Sequence, residues 1–291
     1  MNAVPPRGWA ARSSDLRRRL AADPRAMVAL GLSVFLLSIT VLAPVIGRYD
    51  PLQVRPEDQL LPPGSAHWFG TDRIGFDIYS RVLHAAGVDL FIAISSVLLS
   101  IGVGLPIGVV VGYRGGRIDG VVMRMFDVIQ AFPVLVLAIA VLATLGRGVL
   151  NIILVVGLIG VPTYVRLVRA QVRSLRELAY IEAARSVGNQ PSRIVLRYLV
   201  PGTLGTVAVQ AATSCGWAII LTAGLGFLGL GVRIPEPEWG YMISTGVEDL
   251  VNGQWWMSVF PGIAIFITVF TFNLVGEVVA DAVDPRRRRV R

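Results

Sequence analysis

The stretch VDLFIAISSVLLSIGVGLPIGVVVG (residues 88–112) is the apolar run that decides the fold. A helix needs about 20 mostly apolar residues to cross the roughly 30 Å hydrocarbon core of a bilayer, and this run is long enough. Gly104, Gly108 and Gly112 recur within it at every fourth position, a pattern that lets two helix backbones approach closely. The run therefore predicts a membrane-spanning helix that packs tightly against a neighbour.

Apolar runs of similar length lie on both sides of this stretch. The chain is 54% hydrophobic and only 16% charged, whereas a soluble domain carries about 25% charged residues. Arg147 and Gly148 alone separate the third run from the fourth, which requires a tight hairpin. We therefore expect an all-α membrane protein with six transmembrane helices. The predicted spans are residues 27–47, 88–112, 126–146, 149–168, 203–225 and 257–279.

The arginine distribution predicts the orientation, because positively charged loops are retained in the cytoplasm. All 27 basic residues are arginines. With the N-terminus inside, the cytoplasmic segments hold 21 of them and the external segments hold six. Both termini are therefore expected in the cytoplasm, as a tail at residues 1–26 and an Arg-rich tail at 281–291. The first span, 27–47, is too long for a signal-peptide core and is expected to remain as an anchor.

The absence of lysine excludes several kinds of chemistry. A phosphate-binding P-loop and a Schiff base both require a lysine, so neither ATP hydrolysis of that type nor pyridoxal catalysis is expected of this chain. The sequence also offers no Ser, His and Asp set for a catalytic triad, so the chain is not expected to be an enzyme. The single cysteine, Cys215, can form no internal disulfide. Nucleic-acid binding is not expected either, because the arginines punctuate apolar runs instead of forming one basic face.

Residues 48–86 are predicted to form an external segment. Its prolines prevent long regular structure in the first part. Ile78, Val82 and Ala86 then share one helical face. The pattern favours an amphipathic helix lying at the membrane surface against the bundle over a substrate-contacting element.

The segment RSLRELAYIEAARSVGNQPSRIVLRYLVPG (residues 173–202) is polar yet strongly patterned. Ile181 and Ala184 fall on one helical face, and Glu182 falls on another. Gly188 can end this helix and Pro191 suits the first turn of the next, so the pattern predicts a helix, a turn and a helix on the cytoplasmic side. The pattern alone fits a docking surface for a soluble protein or a simple connector.

The same segment resembles the EAA loop of ABC importer permeases. Its EAARSVG, followed by nine residues and YLVP, places Glu182, Ala183, Ala184, Gly188 and Pro201 at that family's spacing. The resemblance implies that the loop, residues 171–201, couples the membrane domain to a separate ATPase. Tyr198 and Val200 depart from the usual residues but keep their bulk and apolarity.

A second resemblance narrows the family. HWFGTDRIGFDIYSR (67–81) and FLGLGVRIPEPEWGYM (227–242) are similar to segments of the second permease subunit in peptide and nickel importers. Phe76 stands where that pattern often has an arginine. The resemblance implies a five-helix type I importer core, residues 87–280, in the bacterial cytoplasmic (inner) membrane. It favours oligopeptides or dipeptides as substrates, with nickel or another small solute as the alternative.

The resemblance also implies the partners. They are a homologous second permease subunit, two ATP-binding subunits or one fused ATPase, an external substrate-binding protein and membrane lipid. ATP and Mg are expected on the ATPase partners, and no cofactor or metal on this chain. A secondary transporter driven by an ion gradient is the alternative from another class. Co-purifying ATPase subunits would discriminate between the two.

Polar residues inside the predicted spans are candidates for a pathway. Gln210, Thr213, Ser214 and Trp217 occur at helical spacing in the fifth span, and Gln130 lies in the third. Hydrogen bonding between helices explains them equally well. Asp127 and Glu277 lie near span ends, where water, headgroups or arginines can satisfy them.

Two further patterns are not interpreted as sites. Gly224, Gly226 and Gly229 spell GxGxxG, but they lie at the end of a membrane helix and not between a strand and a helix. His67 and His84 are the two histidines, and the sequence offers them no evident third ligand for a metal.

Overall fold

The computed structural model of the protein describes residues 23–283. Within this range the regular structure is helical, apart from one isolated bridge between Thr71 and Asp77. The expected tails lie outside the described residues, except for 23–26 and 281–283. The helices are α1 (Pro24–Ile46), α2 (Ile78–Arg114), α3 (Gly116–Gln130), α4 (Val134–Leu145), α5 (Val149–Leu175), α6 (Ala179–Ser186), α7 (Pro191–Ile194), α8 (Val200–Phe227), α9 (Trp239–Val247) and α10 (Trp256–Val283).

Five of the described helices are long and apolar enough to cross a membrane. They are α1, α2, α5, α10 and a continuous helix, Pro191–Phe227, in which α7 and α8 are joined by a π-helical turn at Val195–Leu199. Helices α3 and α4 together make a bent sixth candidate. The predicted all-α membrane fold is confirmed.

The predicted third span, residues 126–146, is present as two helices instead of one. Helices α3 and α4 meet at 85° across a short break. Pro133 lies at this break in an extended conformation, with ψ 128°. Proline has no backbone N–H and disfavours a helical conformation in the residue before it, so the helix stops and restarts. The predicted tight hairpin after α4 is present, and Asn151 Nδ2 closes it by donating to the carbonyls of Leu145 and Gly146 at 2.8 and 3.0 Å.

The predicted amphipathic helix of the external segment is present, but it is the start of α2 and not an element of its own. Ile78, Val82 and Ala86 belong to α2, which runs without a break for 37 residues, or about 55 Å. All three side chains are buried against the bundle. The Asp77 carboxylate caps the start of α2 by accepting a hydrogen bond from Ser80 N at 2.8 Å. The amphipathic stretch therefore continues into the predicted second span as one helix.

The three glycines of α2 lie along its seam with α5. A Cβ added at Gly104 would lie 2.7 Å from Tyr164 Cβ, and one at Gly108 would lie 2.8 Å from Val168 Cβ. At Gly112 it would meet the Arg169 carbonyl oxygen at 2.8 Å. Side chains at these positions would force the two helices apart.

Residues 48–77, here called the bracing segment, tie the first two spans to the last one. The Trp256 indole Nε1 donates to the Thr71 carbonyl at 3.1 Å. Arg73 forms ion pairs with Glu248 at 2.6 Å and with Asp249. His67 is buried, and its Nδ1 lies 2.8 Å from Asp77 Oδ1. His67 is therefore part of the internal packing of the bracing segment.

Glu238 occupies a buried position at the same end of the bundle. Its carboxylate accepts hydrogen bonds from Gly240 N at 2.7 Å and Tyr241 N at 2.8 Å, which caps α9. A side chain at Gly226 would overlap the Glu238 carboxylate, so glycine is required there. Burial raises the pKa of Glu238 to about 7. At least Gly226 of the GxGxxG pattern is thus required for packing.

Candidate functional site

A cavity of about 600 Å³ lies between α2, α3, α4, α5 and α8. It contains every residue proposed from the sequence for a pathway. Those residues are Gln130, Gln210, Thr213, Ser214 and Trp217. Four of them come from α8 and one from α3, so the fold brings together side chains that are distant in the sequence.

Sequence reasoning missed the opposite wall of this cavity. Ser96 and Ser100 of α2 and Thr163 and Tyr164 of α5 also line it. Ser100 Oγ donates to the Gly157 carbonyl at 2.6 Å, across the seam between the two helices. These hydroxyls lie in apolar runs where nothing in the local pattern distinguishes them from residues that only face lipid.

The polar groups of the cavity are neutral. Gln210 Nε2 lies 3.2 Å from Ser214 Oγ and 3.4 Å from Thr213 Oγ1, so these groups form a weak cluster along one face of α8. Among the described residues, the lining includes no Asp, Glu, Arg, His or Cys. Amide and hydroxyl groups can exchange hydrogen bonds with a polar solute, but this lining offers no fixed charge and none of the usual ligands for a transition metal.

Helix α6 protrudes at the opposite end from the bracing segment. Ile181 and Ala184 are buried and attach it to the bundle, whereas Glu182, Ala183 and Arg185 are exposed. The predicted faces of this helix are therefore the observed ones. Its small base and its exposed polar side leave most of the helix free to contact another molecule.

Two exposed apolar side chains on α6 were not singled out from the sequence. Val187, just past its end, is 78% exposed and Tyr180 is 47% exposed. With Ala183 they are spaced at intervals of three and four residues, so they share one face. An apolar stripe on a protruding helix is a feature of protein contact surfaces.

Gly188 and Pro191 shape the turn after α6. Gly188 has φ +79°, in the left-handed region that glycine adopts without strain, and its N–H bonds to the Arg185 carbonyl at 2.9 Å. Pro191 then starts α7, which continues through the π-helical turn into α8. Pro201 is exposed in the first turn of α8. The predicted second helix of the loop is thus the beginning of the fifth span.

Ion pairs connect α3 to the end of α5 next to this loop. Asp119 accepts from Arg169, whose Nη2 lies 2.8 Å from Asp119 Oδ2, and from Arg173. Asp127 pairs with Arg166 at 2.6 Å. Both acids lie on α3 and all three arginines lie on α5, so the first half of the bent pair is held to the helix that leads into α6.

Comparison with known proteins identifies the family. Residues 104–289 match the model of the binding-protein-dependent transport system inner membrane component, and residues 12–63 match the N-terminal transmembrane domain of oligopeptide transport permease C. The dipeptide transport system permease protein DppC of Bacillus subtilis (strain 168) is 34% identical over 277 residues, covering 95% of this chain and 87% of the relative.

A second relative agrees with the first. The glutathione transport system permease protein GsiD of Pectobacterium atrosepticum is 41% identical over 261 residues, covering 89% of this chain and 86% of the relative. The chain therefore belongs to the family of inner membrane components of binding-protein-dependent transport systems. Within that family it is a C-type permease of the peptide branch, which confirms the resemblance seen in the sequence and does not favour the nickel branch.

A solved structure supports the fold. A chain of the MetNI methionine ABC transporter, in an inward facing conformation, has a TM-score of 0.57 and 19% identity, covering 70% of this chain and 97% of that chain. The predicted type I importer permease fold is confirmed. The chain is accordingly a multi-pass permease of the inner membrane and not itself an ATPase.

Proposed function

We propose that this chain forms one half of the transmembrane pathway of an ATP-driven importer for dipeptides or oligopeptides. The relatives named for dipeptide and glutathione transport support a peptide substrate. The observation that carries the proposal is the cavity, where Gln130 and the α8 residues Gln210, Thr213, Ser214 and Trp217 meet. Neutral amides and hydroxyls can hydrogen-bond to peptide groups of many sequences without holding any of them tightly.

The loop at residues 171–201 is proposed as the contact through which an ATPase partner acts on the membrane domain. Glu182, Ala183, Ala184, Gly188 and Pro201 match the EAA spacing, and the apolar stripe of α6 supplies a surface for an ATPase subunit. Two ATP-binding subunits or one fused ATPase would dock there, and these partners would carry the ATP and Mg. A homologous permease subunit would complete the pore as a heterodimer, and an external substrate-binding protein would deliver the peptide.

The proposed topology places α6 and both termini in the cytoplasm and the bracing segment outside. The arginine distribution supports this orientation, because α6 and the ends of α3 and α5 lie in the arginine-rich segments. The first span, 27–47, then serves as an anchor before the permease domain at residues 87–280.

Energy coupling requires a difference in affinity between two states of the bundle. ATP can shift the bundle only if the ATP-bound partner prefers the conformation that accepts substrate. Glu182 to Gly188 would transmit that preference, since every residue of this stretch except Ala184 is exposed and α7 continues directly into the cavity-lining helix.

Charge reversal at Glu182 tests the coupling. We expect Glu182→Arg to reduce both ATPase binding and ATP-driven peptide uptake at least tenfold in the assembled transporter. Glu277→Arg is the matched control, because Glu277 is an exposed acid on α10. Wild-type ATPase binding and uptake in Glu182→Arg would overturn the assignment. Uptake that persists with an inactivated ATPase would instead support an ion-driven transporter.

The single cysteine provides a test of the pathway. In a Cys215→Ser background, cysteines placed at Thr213 and Ser214 should react with a small thiol reagent, and transported dipeptide should slow the reaction. A cysteine at Val251, which is 93% exposed outside the predicted spans, is the control and should react without protection. Equal protection at all three positions would contradict the proposed pathway.

A further inference from the structure

A second cavity, unrelated to the pathway, separates α1 from the rest of the bundle. It is an apolar groove of about 330 Å³ between α1, α2 and α10. Its wall includes Leu36 and Ile39 from α1, Val82 from α2, and Ile263 and Ala264 from α10. Helix α1 thus does not pack flush against the core along its whole length.

Two of the polar side chains that line this groove already have partners. Thr268 Oγ1 donates to the Ala264 carbonyl at 2.8 Å, and the Trp239 indole Nε1 donates to the Val82 carbonyl at 3.0 Å. Ordered water in a cavity needs two to four polar partners, and apolar cavities remain dry. The chemistry of the wall therefore suits a hydrocarbon occupant and not water.

The length and depth of the groove match one leaflet of a bilayer. On α1 the lining runs from Phe35 to Ile46, about 16 Å along the helix. Half of the roughly 30 Å hydrocarbon core is about 15 Å. The lining lies at the end of α1 and at the beginnings of α2 and α10, so the groove is confined to the half of the membrane next to the bracing segment.

The surrounding face of α1 fixes the groove at lipid depth. Leu37, Val41 and Val45 are 59%, 73% and 79% exposed, and as apolar side chains of a membrane span they face acyl chains. Phe35 and Ile263, which line the groove, are themselves 51% and 47% exposed, so lipid has direct access to the groove from the side. No aqueous route is needed for the occupant.

A cation and an aromatic ring lie at the end of α1 where the groove ends. Arg48 is exposed two residues beyond Ile46, and its guanidinium lies 4.9 Å from the centre of the Trp68 ring. Its Nη1 donates to the Ser65 carbonyl at 2.7 Å, which holds the side chain in place. Arginine and tryptophan suit the headgroup region of a bilayer, and a guanidinium binds phosphate well.

We propose that a bilayer phospholipid occupies this groove, with one acyl chain between α1 and α10 and its phosphate beside Arg48. The lipid fills the gap that protein side chains leave, and it fixes α1 against the permease core. Such a lipid is held by this chain alone, so the inference goes beyond the proposed transport function and survives independently of the substrate.

Photocrosslinking tests the proposal in the assembled transporter. The probe is phosphatidylglycerol with a diazirine in one acyl chain, present in nanodiscs of phosphatidylethanolamine and phosphatidylglycerol. Crosslinks located to single residues by fragment ions should be at least threefold more frequent at Ile39 and Ile263 than at the exposed Leu98. Ala264→Trp, which fills the groove, should remove this excess, whereas Val41→Trp on the outer face of α1 should not.

Two further variants test the proposal even if Ala264→Trp misfolds. If Ala264→Trp does not assemble, Ile39→Trp fills the groove from the other side, and Arg48→Gln should lower the crosslinking of the anionic probe without filling anything. Equal crosslinking of groove-lining and outer-face residues would overturn the proposal. So would an excess of crosslinks at groove residues that persists in the filled variants. So would crosslinking of a photoreactive residue at Ile263 to a partner subunit instead of lipid in cell membranes.

Discussion

The two ends of the bundle are built in opposite ways. At one end the bracing segment, α9 and the start of α10 interlock through Trp256, Arg73 and the buried Glu238. At the other end α6 is attached by Ile181 and Ala184, and most of its surface is exposed. The difference suggests that substitutions at the braced end act on stability, whereas substitutions on α6 act on contact with a partner.

The strongest test of this comparison is a single methyl group at the braced end. In Gly240→Ala the added Cβ would overlap the backbone carbonyl of Ala223, which cannot move without shifting α8 or α9. We expect a loss of about 3 kcal/mol of stability, measured by thermal unfolding in detergent. Gly262→Ala is the control, because nothing lies within 4 Å of a Cβ there, and it should leave the melting temperature unchanged or higher.

The seam that joins the two ends should respond in the same way. Gly108→Ala places a Cβ 2.9 Å from the Val165 carbonyl oxygen and is expected to cost about 2 kcal/mol, because backbone cannot rearrange as a side chain can. Gly102→Ala, on the same helix with open space around it, is the matched control. Equal melting temperatures for the two variants would show that the glycine pattern of α2 is not a packing requirement.

On α6 we expect the opposite result, a loss of uptake with little change in stability. Val187→Asp should reduce ATP-driven uptake about tenfold, equivalent to about 1.4 kcal/mol of interaction, while changing stability by less than about 0.5 kcal/mol. Ser186→Asp adds the same charge beside the apolar stripe and should retain most of the uptake. A fall in melting temperature for Val187→Asp as large as that for Gly240→Ala would remove the distinction between the two ends.

The smallest expected effect is a pH dependence of the braced end. The folded protein raises the pKa of Glu238 from its ordinary value of 4.5 to about 7, so between these values it holds a proton that the unfolded chain has released. Stability should therefore fall as the pH rises through this window. Glu238→Gln cannot titrate, and its melting temperature should change less between pH 5 and pH 8 than that of the wild type. The same slope in both proteins would contradict the assignment.

Features whose residues all lie on one helix could be predicted from the sequence. The face of α6, the turn at Gly188 and the glycines of α2 follow from residue spacing along a single helix. The α8 half of the cavity was also accessible, because Gln210, Thr213, Ser214 and Trp217 recur at helical spacing. Whether these residues act in coupling and transport stays a prediction.

The remaining features depend on contacts between distant segments. Ser96 and Thr163 line the cavity because α2 and α5 pack at the angle their small residues allow, which no single run of sequence encodes. The bend between α3 and α4 had a signal in Pro133, but a count of apolar residues overrode it. The merging of residues 78–86 into α2 was missed because an amphipathic face can lie on a membrane or on protein, and only the tertiary fold decides between them.

The uninterrupted helix from Pro191 to Phe227 connects the turn after α6 directly to the cavity wall. It therefore has the shape of a lever between the two. From Pro191 to Ser214 the lever arm is about 35 Å long, so a tilt of a few degrees at its base displaces the polar groups by roughly 2 Å. The π-helical turn at Val195–Leu199 lies near the base, where wider backbone winding loosens the arm. Under the proposed coupling, a small push on α6 would therefore change the width of the cavity about 35 Å away.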